Sequence, residues 1–191
     1  MTANKGSVRI IGGEHRGRRL HFTDQNGDLR PTGDRLRETL FNWLQFEVRG
    51  TRVLDLFAGS GALAAEALSR GAASALLIEK KRARADDLAR VLTPVFDSRA
   101  QVKCVDALTW VNRACGQYDL VFIDPPYDLG LHQPICDALA QHDVVAPGGW
   151  IFIETRRQSA APNVPAHWQL EKEKESGDVR AQLYRNGERS Q

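Results

Sequence analysis

The sequence contains few cysteines. Only three occur among 191 residues, Cys104, Cys115 and Cys136, and no two of them form a C-x-x-C pair. A disulfide-stapled secreted fold needs a denser, even-numbered set, and a structural zinc site needs closely spaced pairs. We therefore exclude both classes and expect buried free thiols, which is a common setting for an isolated cysteine.

Long apolar runs are also missing. No stretch approaches the roughly 18 apolar residues of a membrane span. The start, MTANKGSVRI, lacks the basic end and apolar stretch of a secretory signal. Hydrophobic residues make up 42% of the chain and charged residues 26%, as in ordinary globular proteins rather than disordered ones. We expect a cytoplasmic protein with one domain of ordinary size and no membrane contact.

The chain also has little net charge, because 26 basic and 24 acidic residues leave a total of +2. The distribution is uneven. Residues 1–23 hold five basic groups and one acid, so five minus one gives +4 and the remainder sums to −2. The basic groups are Lys5, Arg9, Arg16, Arg18 and Arg19. Such an arm is typical of a protein that meets a polyanion, although a solvated charged face fits the composition equally well.

From residue 51 onward, short apolar runs alternate with helical stretches, as in a doubly wound parallel α/β sheet. The predicted strands are 52–56, 75–78, 101–105, 118–123 and 150–155, and the predicted helices are 62–70, 82–96, 107–113 and 133–141. Residues 147–149 read as a turn into the fifth strand. The segments 168–174 and 179–184 alternate around a Ser-Gly-Asp turn, which predicts an antiparallel hairpin at the end of the chain.

The first fifty residues read as a separate unit. Residues 7–11 and 19–22 predict a small β-hairpin, and 24–33 a polar loop. Asp34 is a candidate N-cap for a helix with Leu36, Leu40, Trp43 and Leu44 on one face. The predicted organisation is an N-terminal extension over 1–50 and a main α/β domain over 51–187.

A glycine-rich turn follows the first predicted strand. In Asp55-Leu56-Phe57-Ala58-Gly59-Ser60-Gly61 the glycines permit a tight turn and a close approach of a ligand to the backbone. This signal is weak alone. Glu79 strengthens it, because a carboxylate at the end of the second strand can accept hydrogen bonds from both ribose hydroxyls. NAD-binding and S-adenosylmethionine-binding folds share that acid, so both remain open here.

The fourth strand separates these two classes. It runs directly into Asp124-Pro125-Pro126-Tyr127, where two prolines remove two backbone donors and fix two φ angles. This rigid segment can present the Asp124 carboxylate and the Pro125 carbonyl as adjacent acceptors, with Tyr127 as a flat face. An exocyclic amine on a planar base needs such a set, whereas a plain structural turn needs neither the acid nor the aromatic ring.

These residues resemble a known family. The motif at 124–127 is similar to that of amino-directed nucleic-acid methyltransferases. Together with VRIIGGEHRG (8–17), LRPTGDRLRETLFN (29–42), LFAGSGA (56–62) and residues 67–71, it resembles the RsmD family of bacterial 16S rRNA guanine-N2 methyltransferases over nearly the whole chain.

The resemblance implies a class I methyltransferase fold, Rossmann-like, with seven strands of which the last is antiparallel. It implies transfer of a methyl group from S-adenosylmethionine to N2 of a guanine in 16S rRNA, within an assembled small ribosomal subunit particle. The implied catalytic residues are Asp124, Pro125 and Tyr127. The implied cofactor-binding residues are Asp55, the loop residues Phe57, Gly59, Ser60 and Gly61 at the methionine moiety, Glu79 at the ribose, and Asp106 and Ala107 at the adenine. No metal is expected, and nothing in the sequence demands more than a monomer.

Basic and polar residues near the start are candidates for phosphate contacts. They are Arg9, His15, Arg16, Arg18 and Arg19 in the arm, and Arg30, Thr32, Arg35 and Arg37 in the following loop and helix. Arg35 and Arg37 cannot both lie on the apolar face of their helix, so at least one should point outward.

Three other functions compete with this one. An NAD-dependent oxidoreductase shares the glycine turn and Glu79 but has no evident use for the motif at 124–127. A DNA adenine-N6 methyltransferase shares that motif, yet the chain leaves little room for a sequence-reading domain. A non-catalytic RNA-binding protein explains the basic arm but not the cofactor turn.

Overall fold

The computed structural model describes residues 4–24, 33–114 and 116–188. Nine strands and five α-helices occur in these ranges. The strands are β1 (Asn4–Arg9), β2 (Arg19–Asp24), β3 (Arg52–Asp55), β4 (Ser74–Glu79), β5 (Ala100–Cys104), β6 (Tyr118–Ile123), β7 (Val145–Arg156), β8 (Trp168–Ser176) and β9 (Val179–Asn186). The helices are α1 (Asp34–Trp43), α2 (Ala62–Ser69), α3 (Arg82–Phe96), α4 (Ala107–Val111) and α5 (His132–Gln141).

Seven strands form one sheet in the order β5-β4-β3-β6-β7-β9-β8. The strands β3 to β7 are parallel, and β9 pairs antiparallel with both β7 and β8. The predicted fold class and the predicted terminal hairpin are thus confirmed. The strand order reverses direction between the neighbours β3 and β6. In doubly wound sheets, ligands bind outside the carboxyl ends of the strands at this switch point. We call this side the carboxyl edge and the opposite side the amino edge.

Helices cover both faces of the sheet. Residues of α1, α2 and α3 pack on one face, with Phe41 edge-on to Phe122 and Phe122 edge-on to Phe152. Residues of α4 and α5 pack on the other face around Ile123 and Ile153. The central strands are buried on both sides, which explains their nearly continuous apolar sequences. No helix in the described ranges is long and apolar enough to cross a membrane.

The N-terminal extension packs into the same core as the sheet. Ile10, Leu20 and Leu40 belong to one buried cluster with Val53 and Leu77. The domain boundary at residue 50 stays a prediction, and the shared core makes the extension continuous with the catalytic part.

A buried acid on α2 holds the turn of the N-terminal hairpin. Glu66 is fully buried, and its two carboxylate oxygens accept the backbone N–H groups of Ile11 at 2.7 Å and Gly12 at 2.8 Å. Arg70 donates to the same carboxylate at 2.7 Å. One turn further along α2, the Ser69 hydroxyl donates to the Gly12 carbonyl at 2.6 Å. The hairpin turn is therefore fixed at the end of α2.

These contacts show where each N-terminal segment lies between the amino edge and the carboxyl edge of the sheet. Because α2 starts at the carboxyl edge, its last residues and the hairpin turn lie at the amino edge. Strand β2 then runs alongside α3, which has 15 residues and is about 22 Å long. His15 packs edge-on against Phe96 at the end of α3, whereas the Thr23 N–H bonds Asp87 near its start at 2.7 Å. The turn of the hairpin therefore lies at the amino edge, and the end of β2 lies toward the carboxyl edge.

Three local predictions were wrong. Asp34 is not the N-cap of α1, because the helix starts at Asp34 and its cap is Gly33. Residues 147–149 are not a turn before the fifth strand but part of β7, where the pairing with β6 shifts register. Cys104 is exposed rather than buried, while Cys136 is buried, and both are free thiols. Cys115 lies outside the described residues.

Candidate active site

The loop after β3 turns twice through the left-handed region. Gly59 has φ of 53° and Gly61 has φ of 72°, values that only glycine adopts without strain. The Gly61 N–H donates to Ala58 at 2.6 Å, and the Ala58 N–H donates to Ile78 of the neighbouring strand at 3.1 Å. These bonds fix the loop across the carboxyl ends of β3 and β4.

Asp55 acts from beneath this loop. Its carboxylate is buried and accepts the backbone N–H groups of Phe57 and Ala64, so it fixes the loop and caps the first turn of α2. Burial raises its pKa to about 7, against the lowering effect of those two bonds. A direct contact of Asp55 with a cofactor stays a prediction, and in the structure its carboxylate accepts two backbone N–H groups.

Two further acids mark the ends of β4 and β5. Glu79 is 8% exposed, and one of its oxygens accepts the Lys81 N–H at 2.7 Å, while the other lies 4.0 Å from Arg84. Asp106 is the N-cap of α4 and accepts the Thr109 N–H at 3.1 Å. That bond lowers the pKa of Asp106. Both carboxylates therefore stand, as predicted from the sequence, at the carboxyl edge beside the glycine loop.

The motif predicted to be catalytic starts where the central strand β6 ends. Ile123 is the last residue of β6 and is fully buried, and Asp124 follows it half-buried. Pro125 is buried, and Pro126 has an extended backbone with φ of −52° and ψ of 125°. Tyr127 then begins a short 3-10 helix, which ends at Leu129. Because β3 and β6 are paired neighbours, Asp124 lies at the same edge as the loop at 57–61.

Tyr127 is held by a residue that sequence reasoning missed. Its hydroxyl donates to the Glu154 carboxylate at 2.9 Å, and the Arg156 guanidinium lies 5.2 Å above the ring centroid. In the parallel register Ile123 pairs with Ile153, so Glu154 stands next to Asp124. One signal was available in the sequence. Glu154 is an acid near the end of a predicted strand, like Glu79 and Asp124.

Glu154 is shielded from solvent. It is 6% exposed, and its Oε2 has no hydrogen-bond partner among the described residues. Burial raises the pKa of Glu154 and of Tyr127. Its backbone carbonyl lies 2.7 Å from the His132 ring, whose own pKa is lowered by burial. Tyr127, Glu154 and His132 thus form one connected cluster beside Asp124.

The candidate phosphate contacts fall into two groups. Arg9, Arg16, Arg18, Arg19 and Arg35 are exposed. Arg16 and Arg18 lie by the hairpin turn at the amino edge, on the opposite side of the sheet from Asp124. Arg35 lies in the first turn of α1, a helix that leads down to the amino edge where β3 begins. The structure therefore places Arg16 and Arg18 away from the motif at 124–127, whereas α1 begins with Arg35 on the side nearer the carboxyl edge.

Burial argues against two of these candidates. Arg37 is 1% exposed, donates to the Arg9 carbonyl at 3.0 Å and pairs with Asp34 at 2.6 Å, so it cannot reach a phosphate. The His15 Nε2 is buried because the ring packs against Phe96, so this nitrogen is not presented to RNA. Arg30 and Thr32 lie outside the described residues.

No group of three or more His, Cys, Asp or Glu side chains within the described ranges is arranged to hold a metal ion.

The protein has the class I methyltransferase fold. In its seven-stranded sheet, the antiparallel strand β9 lies between β7 and β8, as that fold requires. The chain belongs to the family described as "Conserved hypothetical protein 95", whose profile matches residues 8–185.

Similar proteins cover the chain almost completely. Ribosomal RNA small subunit methyltransferase D of Escherichia coli is 42% identical over 95% of this chain and 91% of that protein. The solved structure of putative methyltransferase yhhF from Escherichia coli is 40% identical, with a TM-score of 0.87 over 96% of this chain and 100% of that one. Putative methylase HI0767 from Haemophilus influenzae is 35% identical, with a TM-score of 0.82 and the same coverage.

Proposed function

We propose that the protein transfers the methyl group of S-adenosylmethionine to the exocyclic N2 of a guanine in 16S rRNA. Its substrate is an assembled small ribosomal subunit particle in the cytoplasm, and it acts as a monomer. The observation that carries this proposal is the position of Asp124-Pro125-Pro126-Tyr127 on the central strand β6, at the edge that also carries the glycine loop and Glu79. The relative from Escherichia coli supports the choice of RNA.

The residues at the carboxyl edge fit S-adenosylmethionine. Glu79 would hold the ribose diol through its carboxylate, and the loop at 57–61, which has no side chains at Gly59 and Gly61, would hold the methionine moiety. Asp106 and Ala107 at the start of α4 are suited to the adenine. When bound, the cofactor supplies an electrophilic methyl group on a sulfonium.

Asp124, Pro125 and Tyr127 compensate for the low nucleophilicity of the guanine amine. The lone pair of a guanine amine is delocalised into the ring, so the nitrogen must become pyramidal before it attacks. Asp124 and the Pro125 carbonyl accept the two amine N–H groups, favour the pyramidal nitrogen and stabilise the positive charge that develops on it. Tyr127 holds the base by stacking, which suits a target extracted from its helix. Asp124 or water takes the proton that is released.

The exposed arginines give the RNA its orientation. Arg35 lies near the carboxyl edge. Arg9 and Arg19 stand opposite each other in the register of β1 and β2, and Arg16 and Arg18 lie at the amino edge. An RNA segment that follows this line runs along β2 and α3 from the active site toward the amino edge. Contacts of this kind fix register and carry no sequence information.

The decisive test is a methyl-transfer assay with tritiated S-adenosylmethionine. Naked 16S rRNA, assembled small subunits and duplex DNA are incubated separately with the protein, and the labelled nucleosides are then identified. We expect N2-methylguanosine, and more of it from the assembled subunit. Label in DNA adenine would replace this function by adenine-N6 methylation of DNA, and label in naked rRNA alone would overturn the particle as substrate.

A further inference from the structure

We infer that Glu154 is a positioning residue for methyl transfer, acting through the hydroxyl of Tyr127 to set the angle of the ring on which the target base stacks. The inference rests on the proposed function for the identity of the base. The arrangement of the two side chains stands independently of it.

The backbone around Tyr127 leaves the orientation of its ring to side-chain contacts. It stands in a 3-10 helix of three residues that follows two prolines, and in this helix the only backbone bond between described residues runs from the Leu129 N–H to Pro126, at 3.1 Å. A ring on so short a segment retains freedom about its side-chain torsions. The bond from its hydroxyl to Glu154 at 2.9 Å removes that freedom at the end of the ring farthest from the backbone.

Glu154 is itself fixed. It lies within the long strand β7, paired on one side with β6 and on the other with β9, where its partner is Ala181. Its backbone carbonyl contacts the His132 ring at 2.7 Å, and its side chain is buried. The acceptor for Tyr127 is thus anchored in the sheet rather than in a loop, which gives it the rigidity that catalytic positioning requires.

Arg156 provides a second restraint. Its guanidinium lies 5.2 Å above the centroid of the Tyr127 ring and pairs with Asp128 of the same 3-10 helix at 3.1 Å. Residues 154 and 156 point to the same face of β7, because side chains alternate along a strand. One strand therefore restrains the edge of the Tyr127 ring through Glu154 and one of its faces through Arg156. The base stacks on the opposite face.

The test combines Tyr127→Phe, Glu154→Gln, Glu154→Leu and the double variant Tyr127→Phe with Glu154→Leu. Glutamine keeps an oxygen that can accept the hydrogen bond from the Tyr127 hydroxyl, while leucine has a similar size and no acceptor. We expect Glu154→Leu and Tyr127→Phe each to lower kcat by about tenfold, because small misplacements of a reacting group are costly. Glu154→Gln should stay within about twofold of the wild type, and the double variant should be no slower than either single variant.

Substrate KM and the affinity for S-adenosylmethionine should change little, because the ring and the cofactor loop remain. Multiplying effects in the double variant would show that Glu154 acts independently of Tyr127, and a Glu154→Gln variant as slow as Glu154→Leu would assign its role to charge. Each of these outcomes overturns the inference.

A readout without substrate separates this inference from the proposed function. The chain has three tyrosines, so fluorine NMR of protein labelled with 3-fluorotyrosine gives few signals, and the Tyr127→Phe variant assigns one of them. Glu154→Leu should shift and broaden the Tyr127 signal, whereas Glu154→Gln should leave it sharp. An unchanged signal in Glu154→Leu would refute the positioning role even if the enzyme methylates rRNA. A protein that labels no RNA but shows this shift would lose only the proposed function.

Discussion

Asp124 carries the clearest prediction at the scale of a single residue. Replacing it by alanine removes an acceptor that strengthens as the amine becomes positive, so the loss should appear in the chemical step. We expect Asp124→Ala to lower the single-turnover rate by about two to three orders of magnitude. Affinity for S-adenosylmethionine, measured by calorimetry, should stay within a few-fold of the wild type.

The matched control is Asp137→Ala. Asp137 is an exposed acid on α5 that bonds only Gln133 among the described residues. This variant removes the same charge without touching the motif, and its rate should equal that of the wild type. If Asp124→Ala retained the wild-type single-turnover rate, the amine would have to be activated by other groups.

The structure also changes how one obvious variant must be interpreted. From the sequence, activity in Tyr127→Phe would indicate stacking rather than hydroxyl chemistry. The hydroxyl now has a partner in Glu154. A loss of activity in Tyr127→Phe therefore no longer argues against stacking, since the same ring can be present at a different angle.

At the scale of elements, the docking of the β1–β2 hairpin on α2 depends on Glu66. This buried carboxylate accepts two backbone N–H groups and pairs with Arg70 and, at 3.9 Å, with Arg37. Glu66→Gln removes the buried charge that pairs with Arg70 and leaves Asp34 as the counter-charge of Arg37. We expect it to lower the free energy of unfolding by about 3 kcal/mol, as for a broken buried ion pair, measured by urea denaturation.

A second measurement locates the damage. Hydrogen exchange at the Ile11 and Gly12 amides should accelerate in Glu66→Gln, because both N–H groups lose a charged acceptor. Glu38→Gln on the exposed side of α1 is the control and should change stability by less than about 0.5 kcal/mol. Unchanged exchange at these two amides would show that Glu66 does not hold the hairpin.

Elements with strong local patterns were predicted well. The helix predicted over 82–96 has these bounds in the structure, because its apolar residues recur at helical spacing. The strand over 118–123 also matches, because it is one short apolar run before two prolines. The cap of α1 was wrong because Asp34 has a competing partner in Arg37, and a side-chain pairing of that kind is not visible in a local pattern.

The parts of the site that escaped prediction join distant positions. Glu154 and Tyr127 are 27 residues apart, and Glu66 reaches Ile11 across 55 residues. Composition and periodicity report what a residue needs from its environment, not which residue supplies it. The acids at the ends of strands were predictable as a set, whereas their individual partners required the folded chain.

At the scale of the whole molecule, the basic arm predicts a salt-dependent association with RNA. Replacing Arg16, Arg18 and Arg19 by alanine should weaken binding and reduce the slope of log affinity against log salt by about 2 to 3, since each lost phosphate contact removes about 0.7 to 0.9. Binding of small subunits, measured across a salt series, gives this slope.

The control removes the same charge from the far edge of the sheet. Arg157, Lys172 and Lys174 are exposed near or on β8, remote from the hairpin along α3. Their replacement by alanine should leave the slope unchanged. Equal slopes in the two triple variants would assign Arg16, Arg18 and Arg19 to the surface alone, and the RNA would then approach from another direction.

The core that the extension shares with the sheet has a consequence for synthesis of the chain. Phe41 of α1 packs against Phe122, which in turn packs against Phe152, so the first helix made needs residues translated much later. Until those residues leave the ribosome, Phe41 lacks part of the native surface that covers it, although earlier residues of the same cluster are already present. We therefore expect α1 to complete its packing only late in translation, after β6 and β7 have been synthesised.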